Sequence, residues 1–283
     1  MLSSQLYATT DILPMAGLDR LAAHLPMAWI EQALEATGTA SIRRRRLPAE
    51  QVVWLVIALA LYRHQSMPEV LATLDLALPS PAESIVSKSA VTQARQRLGA
   101  APLEQLFVQT ARAWCAQDAE RHSWHGLSLW AMDGTTLRTP DSADNRAHFG
   151  AQAYASGKIA SYPQVRAVSV TAIPTHLVWD IAFGEYGQNE MLYAKTLVKR
   201  IDDHSLTVFD RGFLCAEILL GLTLAGNERH YLIPAKSNTK WEVLSGSEDD
   251  CLVRMQVSPQ ARAKAPELPE LWIARAVRMT SAN

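Results

Sequence analysis

The sequence predicts an α/β protein with an all-helical region at its N-terminal end, and two observations carry this prediction. Up to about His122 the apolar residues recur at the three- and four-residue spacing of amphipathic helices. After His122 the pattern changes to short apolar runs bounded by turn residues, which are typical of strands. Helical runs separate the later strands, so we expect one sheet with flanking helices.

Three segments of the first region illustrate the helical pattern. Pro48 suits the start of a helix, and the apolar run at residues 49–63 that follows it predicts a buried helix. Ser89 is a residue type that caps helices, and it precedes a helix that we expect to end at Gly99. A further amphipathic helix is predicted by side chains at helical spacing: Leu103, Leu106, Phe107, Thr110, Ala111 and Trp114.

Strands and helices alternate in the second region. The strands are expected at residues 127–133, 165–173, 176–183, 206–210 and 231–234, and the helices at residues 190–201 and 216–225. Pro174 and Thr175 separate the second strand from the third, which predicts a hairpin. The first and fourth strands each end in an aspartate, Asp133 and Asp210.

Bulk composition excludes several classes of protein. The chain has 283 residues, of which 48% are hydrophobic and 19% charged, so two folded domains are possible. Its longest apolar run, at residues 52–62, is too short to span a bilayer, and its first residues do not resemble a signal peptide. Cys115, Cys215 and Cys251 lie far apart without a CxxC motif, which predicts neither a disulfide framework nor a zinc cluster. A reducing cytoplasm is therefore the expected location.

The net charge of −1 is low for a protein that binds DNA, but the positive charges are unevenly distributed. Residues 43–46 are four consecutive arginines. Between residues 84 and 103 the only charged side chains are Lys88, Arg95 and Arg97. Such local patches can bind phosphates even when the whole chain is neutral, with a solvated face as the alternative.

Asp133 and Asp210 are the candidate catalytic residues. Functional side chains gather where the strands of an α/β sheet end, and an aspartate that closes an apolar strand is expected to be poorly solvated unless a cation neutralises it. Two such carboxylates on neighbouring strands can hold Mg²⁺ or Mn²⁺, which activate water and stabilise the leaving oxygen of a phosphodiester. Aspartate is also a common cap and turn residue, so either one alone fits a structural role.

Four segments of the sequence carry a resemblance to a known family. They are Asp133-Gly-Thr-Thr-Leu-Arg-Thr-Pro-Asp141-Ser with Asn145 and Phe149-Gly150, Val208-Phe-Asp210-Arg-Gly-Phe213, Tyr231-Leu-Ile-Pro-Ala-Lys236-Ser-Asn-Thr-Lys240-Trp241, and Ser89-Ala-Val-Thr-Gln-Ala-Arg-Gln-Arg-Leu-Gly99. In this order they resemble the insertion-element-4 type of bacterial transposases, a branch of the DDE enzymes. The resemblance covers nearly the whole chain.

The resemblance implies a ribonuclease-H-like fold, in which a mixed sheet is flanked by helices. It also implies that Asp133 is the first catalytic acid and Asp210 the second, and that both bind Mg²⁺ (or Mn²⁺). The implied reactions are hydrolytic nicking and strand transfer at the terminal inverted repeats of the element. The implied partners are that DNA and a second copy of the chain in the paired-end complex.

Six further residues are candidates for contacts with DNA: Arg95, Arg97, Arg211, Lys236, Lys240 and Trp241. The helix that ends at Gly99 contains glutamines and arginines, which are types that read base edges. Arg211 follows the second acid and suits a phosphate, with a surface ion pair as the alternative. The two lysines suit the DNA backbone and the tryptophan suits an extruded base, with solvated lysines and a core tryptophan as alternatives.

The third acid that the resemblance implies is missing. In the family it lies in a Tyr-x2-Arg-x3-Glu-x6-Lys pattern, but the residue three positions after Tyr231, the only tyrosine after Asp210, is Pro234. Residues 243–283 instead alternate short apolar runs with loops and resemble the β-rich insertion of the family. We therefore expect a helical DNA-binding domain at residues 1–122, an incomplete catalytic core at residues 123–242 and a truncated β-rich insertion at residues 243–283.

Three hypotheses about function remain. The first is a DNA transposase that is truncated, for example by a frameshift, and impaired because one metal ligand is missing. Loss of the final helices would also leave one face of the sheet uncovered. The second is an inactive fragment that binds DNA and competes with full-length transposase. The third is a ribonuclease-H-like nuclease with another substrate, although no residue points to one.

Overall fold

The computed structural model describes residues 16–40, 47–77, 88–117, 119–154 and 157–279. The chain divides into two compact units, Met1–Ala113 and Trp114–Asn283, each with its own hydrophobic core. The division falls earlier in the chain than the boundary expected at residue 122. The four-arginine run at residues 43–46 lies outside the described residues.

The first unit is helical throughout its described part, as the sequence predicts. Its helices are α1 (Ala16–His24), α2 (Met27–Ala36), α3 (Ala49–Leu61), α4 (Met67–Ala77), α5 (Lys88–Leu98) and α6 (Ala101–Ala116), the last of which continues into the second unit. Helix α3 begins directly after Pro48 and is apolar on nearly every side, so it forms the centre of the core. Its buried side chains are Ala49, Val52, Val53, Trp54, Leu55 and Ala58.

Helix α5 departs from the prediction at its start and agrees with it at its end. The helix begins at Lys88, so Ser89 lies inside its first turn, and the prediction that Ser89 precedes the helix as its cap is wrong. Gly99 follows the last residue with a φ of +68°, the left-handed conformation that glycine adopts most readily at a helix end. Val91, Ala94 and Leu98 are buried in the core.

The second unit contains a five-stranded mixed sheet. Its elements are β1 (Ser128–Arg138), α7 (Ala143–Phe149), β2 (Gln164–Ala172), β3 (Val178–Glu185), α8 (Glu190–Val198), β4 (Ser205–Phe209), α9 (Ala216–Thr223) and β5 (Arg229–Leu232). The strand order is β3-β2-β1-β4-β5. The pairs β1–β2 and β2–β3 are antiparallel, whereas β4 runs parallel to β1 and β5 parallel to β4. The predicted hairpin between β2 and β3 is confirmed.

Helices α8 and α9 supply side chains to one core with this sheet. Alternate residues of β1 and β4 enter that core, because successive side chains of a strand point to opposite faces. Trp130, Met132 and Phe209 are all at most 5% exposed, and they pack with buried residues of both helices. Helix α7 was not predicted, because it is short, polar and contributes no buried side chain.

A second, three-stranded sheet follows, made of β6 (Glu242–Gly246), β7 (Asp250–Gln256) and β8 (Leu271–Val277), with helix α10 (Pro259–Lys264) between the last two strands. All of its pairings are antiparallel. Val257, Leu268 and Trp272 join the core of the larger sheet. Among the helices that the structure describes, none combines the length and apolarity that crossing a membrane requires.

Candidate active site

Strands β1 and β4 bring the two predicted acids to neighbouring positions. The parallel register runs from Ser128 opposite Ser205 to Met132 opposite Phe209, and Asp133 and Asp210 are the next residue on each strand. Paired residues of adjacent strands share a face of the sheet, and Met132 and Phe209 both point into the core. The aspartates therefore both point to the opposite face, on strands that lie about 4.8 Å apart.

Two expectations about this edge of the sheet are wrong. Strand β1 does not end at Asp133, because β2 continues to pair with it as far as Arg138 after β4 has ended. The carboxylates are also not poorly solvated, since both aspartates are exposed. Their exposure follows from their position, one residue beyond the side chains that fill the core.

Each carboxylate accepts one hydrogen bond from nearby backbone. Asp133 Oδ1 accepts from the Gly134 amide at 2.8 Å. Asp210 Oδ1 accepts from the Gly212 amide and caps the short 3-10 turn Arg211–Phe213. Within the described part of the chain, neither Oδ2 atom has a hydrogen-bond or ion-pair partner. One oxygen of each carboxylate is thus held locally, and the other is available to a ligand.

Glycines flank both acids for a steric reason that the sequence did not reveal. A Cβ atom on Gly212 would lie 2.6 Å from Asp210 Oδ1, so any larger residue would displace the carboxylate. A Cβ atom on Gly134 would lie 2.5 Å from Glu190 Oε2, which places the Glu190 side chain against β1 on the face opposite to Asp133. The glycines in Asp-Gly and Asp-Arg-Gly are the sequence features that could have indicated this close packing.

The residues at this edge fit a magnesium ion in one respect. Mg²⁺ is usually held by one or two carboxylates, several waters and phosphate oxygens of the substrate, and Asp133 and Asp210 offer such carboxylates on one face. Across the described residues, no group of three or more histidine, cysteine, aspartate or glutamate side chains converges on a metal-sized site. The two aspartates would therefore need ligands from substrate or solvent.

The predicted DNA-contacting residues of the second unit lie on exposed or half-buried surfaces. Arg211 is exposed in the turn after Asp210. Lys236 is half-buried and Lys240 exposed in the loop between β5 and β6, where the Lys236 amide donates to Thr239 Oγ1 at 3.0 Å. None of these three cations forms an ion pair among the residues that the structure describes. Trp241 is 42% exposed.

Two cavities surround that loop. Lys236 and Lys240 line one of about 330 Å³, together with Cys215 and Trp272. Lys240 and Trp241 line a wider cleft of about 880 Å³. Burial raises the pKa of the Cys215 thiol, so the thiol in the smaller cavity stays protonated at neutral pH.

Arg95 and Arg97 belong to the first unit and lie on helix α5. Both are exposed and flank the buried residues of the helix on either side. Gln93 and Gln96 are exposed on the same helix. This surface offers guanidinium and amide groups to a ligand.

Comparison with known proteins gives matches over both units. Residues 15–108 match the insertion element 4 transposase N-terminal domain, and residues 124–280 match a transposase DDE domain. The transposase InsG for insertion sequence element IS4 of Escherichia coli (strain K12) is 37% identical over 264 residues, which are 93% of this chain and 59% of InsG. The InsZ protein of the same bacterium is 36% identical over 239 residues, which are 84% of this chain and 78% of InsZ.

The chain therefore spans about three fifths of the length of InsG. A solved structure, the cryo-EM structure of a piggyBac transposase synaptic complex with hairpin DNA, aligns with 92% of this chain and 59% of its own. Its TM-score is 0.37 and its sequence identity 11%, values too low to support an argument about this chain.

Proposed function

We infer that this chain, which belongs to the insertion element 4 family of DDE transposases, cuts and joins DNA at the inverted-repeat ends of its own element. The observation that carries the proposal is the position of Asp133 and Asp210. They follow the last register pair of two adjacent parallel strands and point to one face, each with an oxygen available. We assign them as the first and second catalytic acids.

A DDE domain implies dependence on a divalent metal ion. In the proposal, the carboxylates of Asp133 and Asp210 hold Mg²⁺ or Mn²⁺. When bound, such an ion lowers the pKa of a coordinated water and stabilises charge on the phosphate oxygens. The chain itself contributes the two carboxylates and Gly212, which leaves room for that of Asp210.

The remaining candidate residues are proposed to hold DNA. Arg211, Lys236 and Lys240 of the second unit form no ion pair with the residues that the structure describes, and they suit backbone phosphates. Trp241 presents an exposed ring on which an extruded base could stack. On the first unit, the exposed face of α5 with Arg95 and Arg97 suits a groove of the DNA.

The proposal extends to the fold and to the assembly. We assign the mixed five-stranded sheet to a ribonuclease-H-like core, and the sheet formed by β6, β7 and β8 to the β-rich insertion of the family. Residues 1–122 are proposed to form the DNA-binding domain. A dimer of the chain would hold the two ends of the element.

A weaker form of the same activity is a second candidate, and one observation favours it. Residues 211–283 do not contain the Tyr-x2-Arg-x3-Glu-x6-Lys pattern, so these residues by themselves supply no third acid in the family context. A polypeptide made of these residues alone would bind a second metal ion loosely, and its strand transfer would be impaired. In the extreme case, the chain binds DNA without cutting it and competes with full-length transposase.

A two-part experiment tests these proposals with a duplex that carries the inverted repeat of the element. A mobility-shift titration measures binding, and addition of Mg²⁺ with a search for nicks measures cleavage. We expect Asp133→Asn to bind as the unchanged chain does and to lose nicking, whereas Asp144→Asn, at another exposed aspartate, should retain both. Binding without nicking by the unchanged chain would support the competitor, and loss of binding in Asp133→Asn would contradict the catalytic assignment.

A further inference from the structure

The projecting end of the β1–β2 pair carries two arginines on one face. Arg166 of β2 lies opposite Thr136 of β1, and Arg138 of β1 lies opposite Gln164 of β2. Opposite residues of an antiparallel pair share a face, so the two arginines are diagonal neighbours, roughly 7–8 Å apart at their Cα atoms. The two arginines thus lie on adjacent strands of the β1–β2 pair, where β1 no longer pairs with β4.

Each guanidinium stacks on a tyrosine ring. Arg138 Cζ lies 4.3 Å from the centroid of Tyr162, and Arg166 Cζ lies 4.7 Å from the centroid of Tyr186. Stacking occupies the flat face of a guanidinium and leaves the N–H groups at its edge available as donors. The tyrosines also fix the orientation of the two side chains, which lowers the entropy that a ligand must remove.

Neither arginine has a carboxylate partner within the part of the chain that the structure describes. Ion pairs are formed there by other arginines, namely Arg146, Arg200, Arg229, Arg254, Arg262, Arg275 and Arg278. The carboxylate of Glu190 lies on the same face but over Gly134. Two arginines on adjacent strands that form no ion pair leave positive charge to be balanced, and a bound anion would balance it.

Further polar groups border the pair. Thr136, directly opposite Arg166, offers a hydroxyl on the same face. On the other side of Arg166 the opposing residue is Gly184, and the Tyr193 hydroxyl occupies the place of its missing side chain. Guanidinium and hydroxyl groups are among the donors that proteins use for phosphate oxygens. The Tyr193 hydroxyl donates to the Glu185 carbonyl oxygen at 3.4 Å, so Thr136 is the hydroxyl offered to a ligand.

We propose that Arg138 and Arg166 together bind a backbone phosphate of the DNA on which the enzyme acts. The identification of the ligand as DNA rests on the proposed function. The pair lies three to five residues beyond Asp133 along β1, which is about 10–17 Å. Asp133 points to the other face of β1, so a DNA molecule that reaches both groups crosses the projecting end of the strand.

The first test measures anion binding without DNA. Thermal unfolding of the full chain is followed with increasing inorganic phosphate, for the unchanged protein, for R138Q/R166Q and for Arg121→Gln, a control variant at an exposed arginine outside the pair. We expect phosphate to raise the unfolding midpoint of the unchanged chain and of Arg121→Gln equally, and that of R138Q/R166Q less. An equal rise in all three proteins would overturn the proposal.

The second test measures DNA binding against salt, with a fluorescent duplex. Each lost phosphate contact should lower the slope of log K against log salt by about 1, so R138Q/R166Q should show that loss and Arg121→Gln should not. R138K/R166K keeps both charges but lacks the planar fork and the stacked geometry, and we expect it to bind DNA several-fold more weakly than the unchanged chain. R138K/R166K binding as tightly as the unchanged chain would overturn the proposal, because charge alone would then suffice.

The two tests separate this inference from the proposed function. If the unchanged chain binds no DNA, the proposed function fails and the assignment of the arginine pair to DNA fails with it. If the unchanged chain binds DNA and R138Q/R166Q binds it with the same affinity and salt slope, the inference alone fails. Circular dichroism of each variant without anion confirms that it is folded.

Discussion

The two halves of strand β1 differ in how many strands pair with them. Residues 128–132 lie between β2 and β4, and Trp130 and Met132 are buried there. Residues 134–138 pair with β2 alone, and Leu137 is 53% exposed. Asp133 lies where the second partner ends. A strand that loses one neighbour while keeping the other can present side chains to a ligand and still hold its backbone in place.

The largest expected effect is on the stability of the inner half. Met132→Ala should lower the free energy of unfolding by about 2–5 kcal/mol, because it leaves a cavity in the core. Leu137→Ala in the outer half should cost about 0.5 kcal/mol or less, because that side chain is mostly exposed. Urea unfolding of both variants makes the comparison, and equal losses would show that the outer half is packed as tightly as the inner half.

The buried ion pair of the inner sheet should contribute more to the free energy of unfolding than the exposed ion pair beyond the end of β1. Asp180 is 5% exposed opposite Val170 of the inner sheet, and Arg200 donates to its Oδ2 at 3.3 Å. Asp180→Ala should cost about 1–3 kcal/mol, since it leaves partners of a buried group unpaired. Asp141→Ala, which removes the exposed pair with Arg146 beyond the end of β1, should lower the free energy of unfolding much less. Urea unfolding measures both, and the reverse order would contradict the comparison.

A substitution close to Asp210 should weaken the binding of a divalent metal ion. Gly212→Ala places a Cβ atom against Asp210 Oδ1, so we expect binding of Mn²⁺ to weaken about tenfold, the size of effect seen for groups that orient metal ligands. Calorimetric titration with Mn²⁺ measures this. The control is Gly187→Ala, at a glycine with no atom close to the added Cβ, which should leave the affinity unchanged. Unaltered affinity in Gly212→Ala would argue against a metal held by Asp210.

The smallest expected effect is a change of the unfolding temperature with pH in the acid range. The Arg146 guanidinium, which donates a hydrogen bond to Asp141, lowers the pKa of that carboxyl below its ordinary value of 3.8. Its stabilising contribution is therefore complete above that value and is lost as the pH falls through the lower pKa of the folded state. Near neutral pH the unfolding temperature of Asp141→Asn should be lower than that of the unchanged chain. The two unfolding temperatures should converge as the pH falls through the pKa of Asp141. A constant difference across this range would mean that the pair does not titrate with folding.

Local patterns explain which elements could be predicted from the sequence. The hairpin of β2 and β3 and strand β4 are dense apolar runs bounded by turn residues, and they lie within a residue or two of their predicted bounds. The outer half of β1 is not such a run, because Thr135 to Arg138 are mostly polar and are held as a strand by pairing with β2. That pairing joins residues far apart in sequence, which a local pattern cannot show.

The candidate site shows the same limit. Asp133 and Asp210 were identifiable because each closes an apolar run, and the structure places them on adjacent strands, although their catalytic role stays a prediction. Their exposure could not be predicted, because it depends on where β4 ends relative to β1. Arg138 belongs to a segment that carries the family resemblance, but the sequence does not indicate that it lies near Arg166, since only the register of β1 with β2 makes them neighbours.

The continuous pairing of β1 with β2 has a consequence for how this segment can change in evolution. Inserting or deleting one residue between Asp133 and Arg138 would turn the arginine to the other face of the ribbon, away from Arg166 and Tyr162. A change of two residues would restore the face but shift the arginine by about 6.6 Å along the strand, past its stacking partner. The number of residues between Asp133 and Arg138 is therefore fixed by the pairing of β1 with β2. The lengths of loops elsewhere in the chain are not constrained in this way.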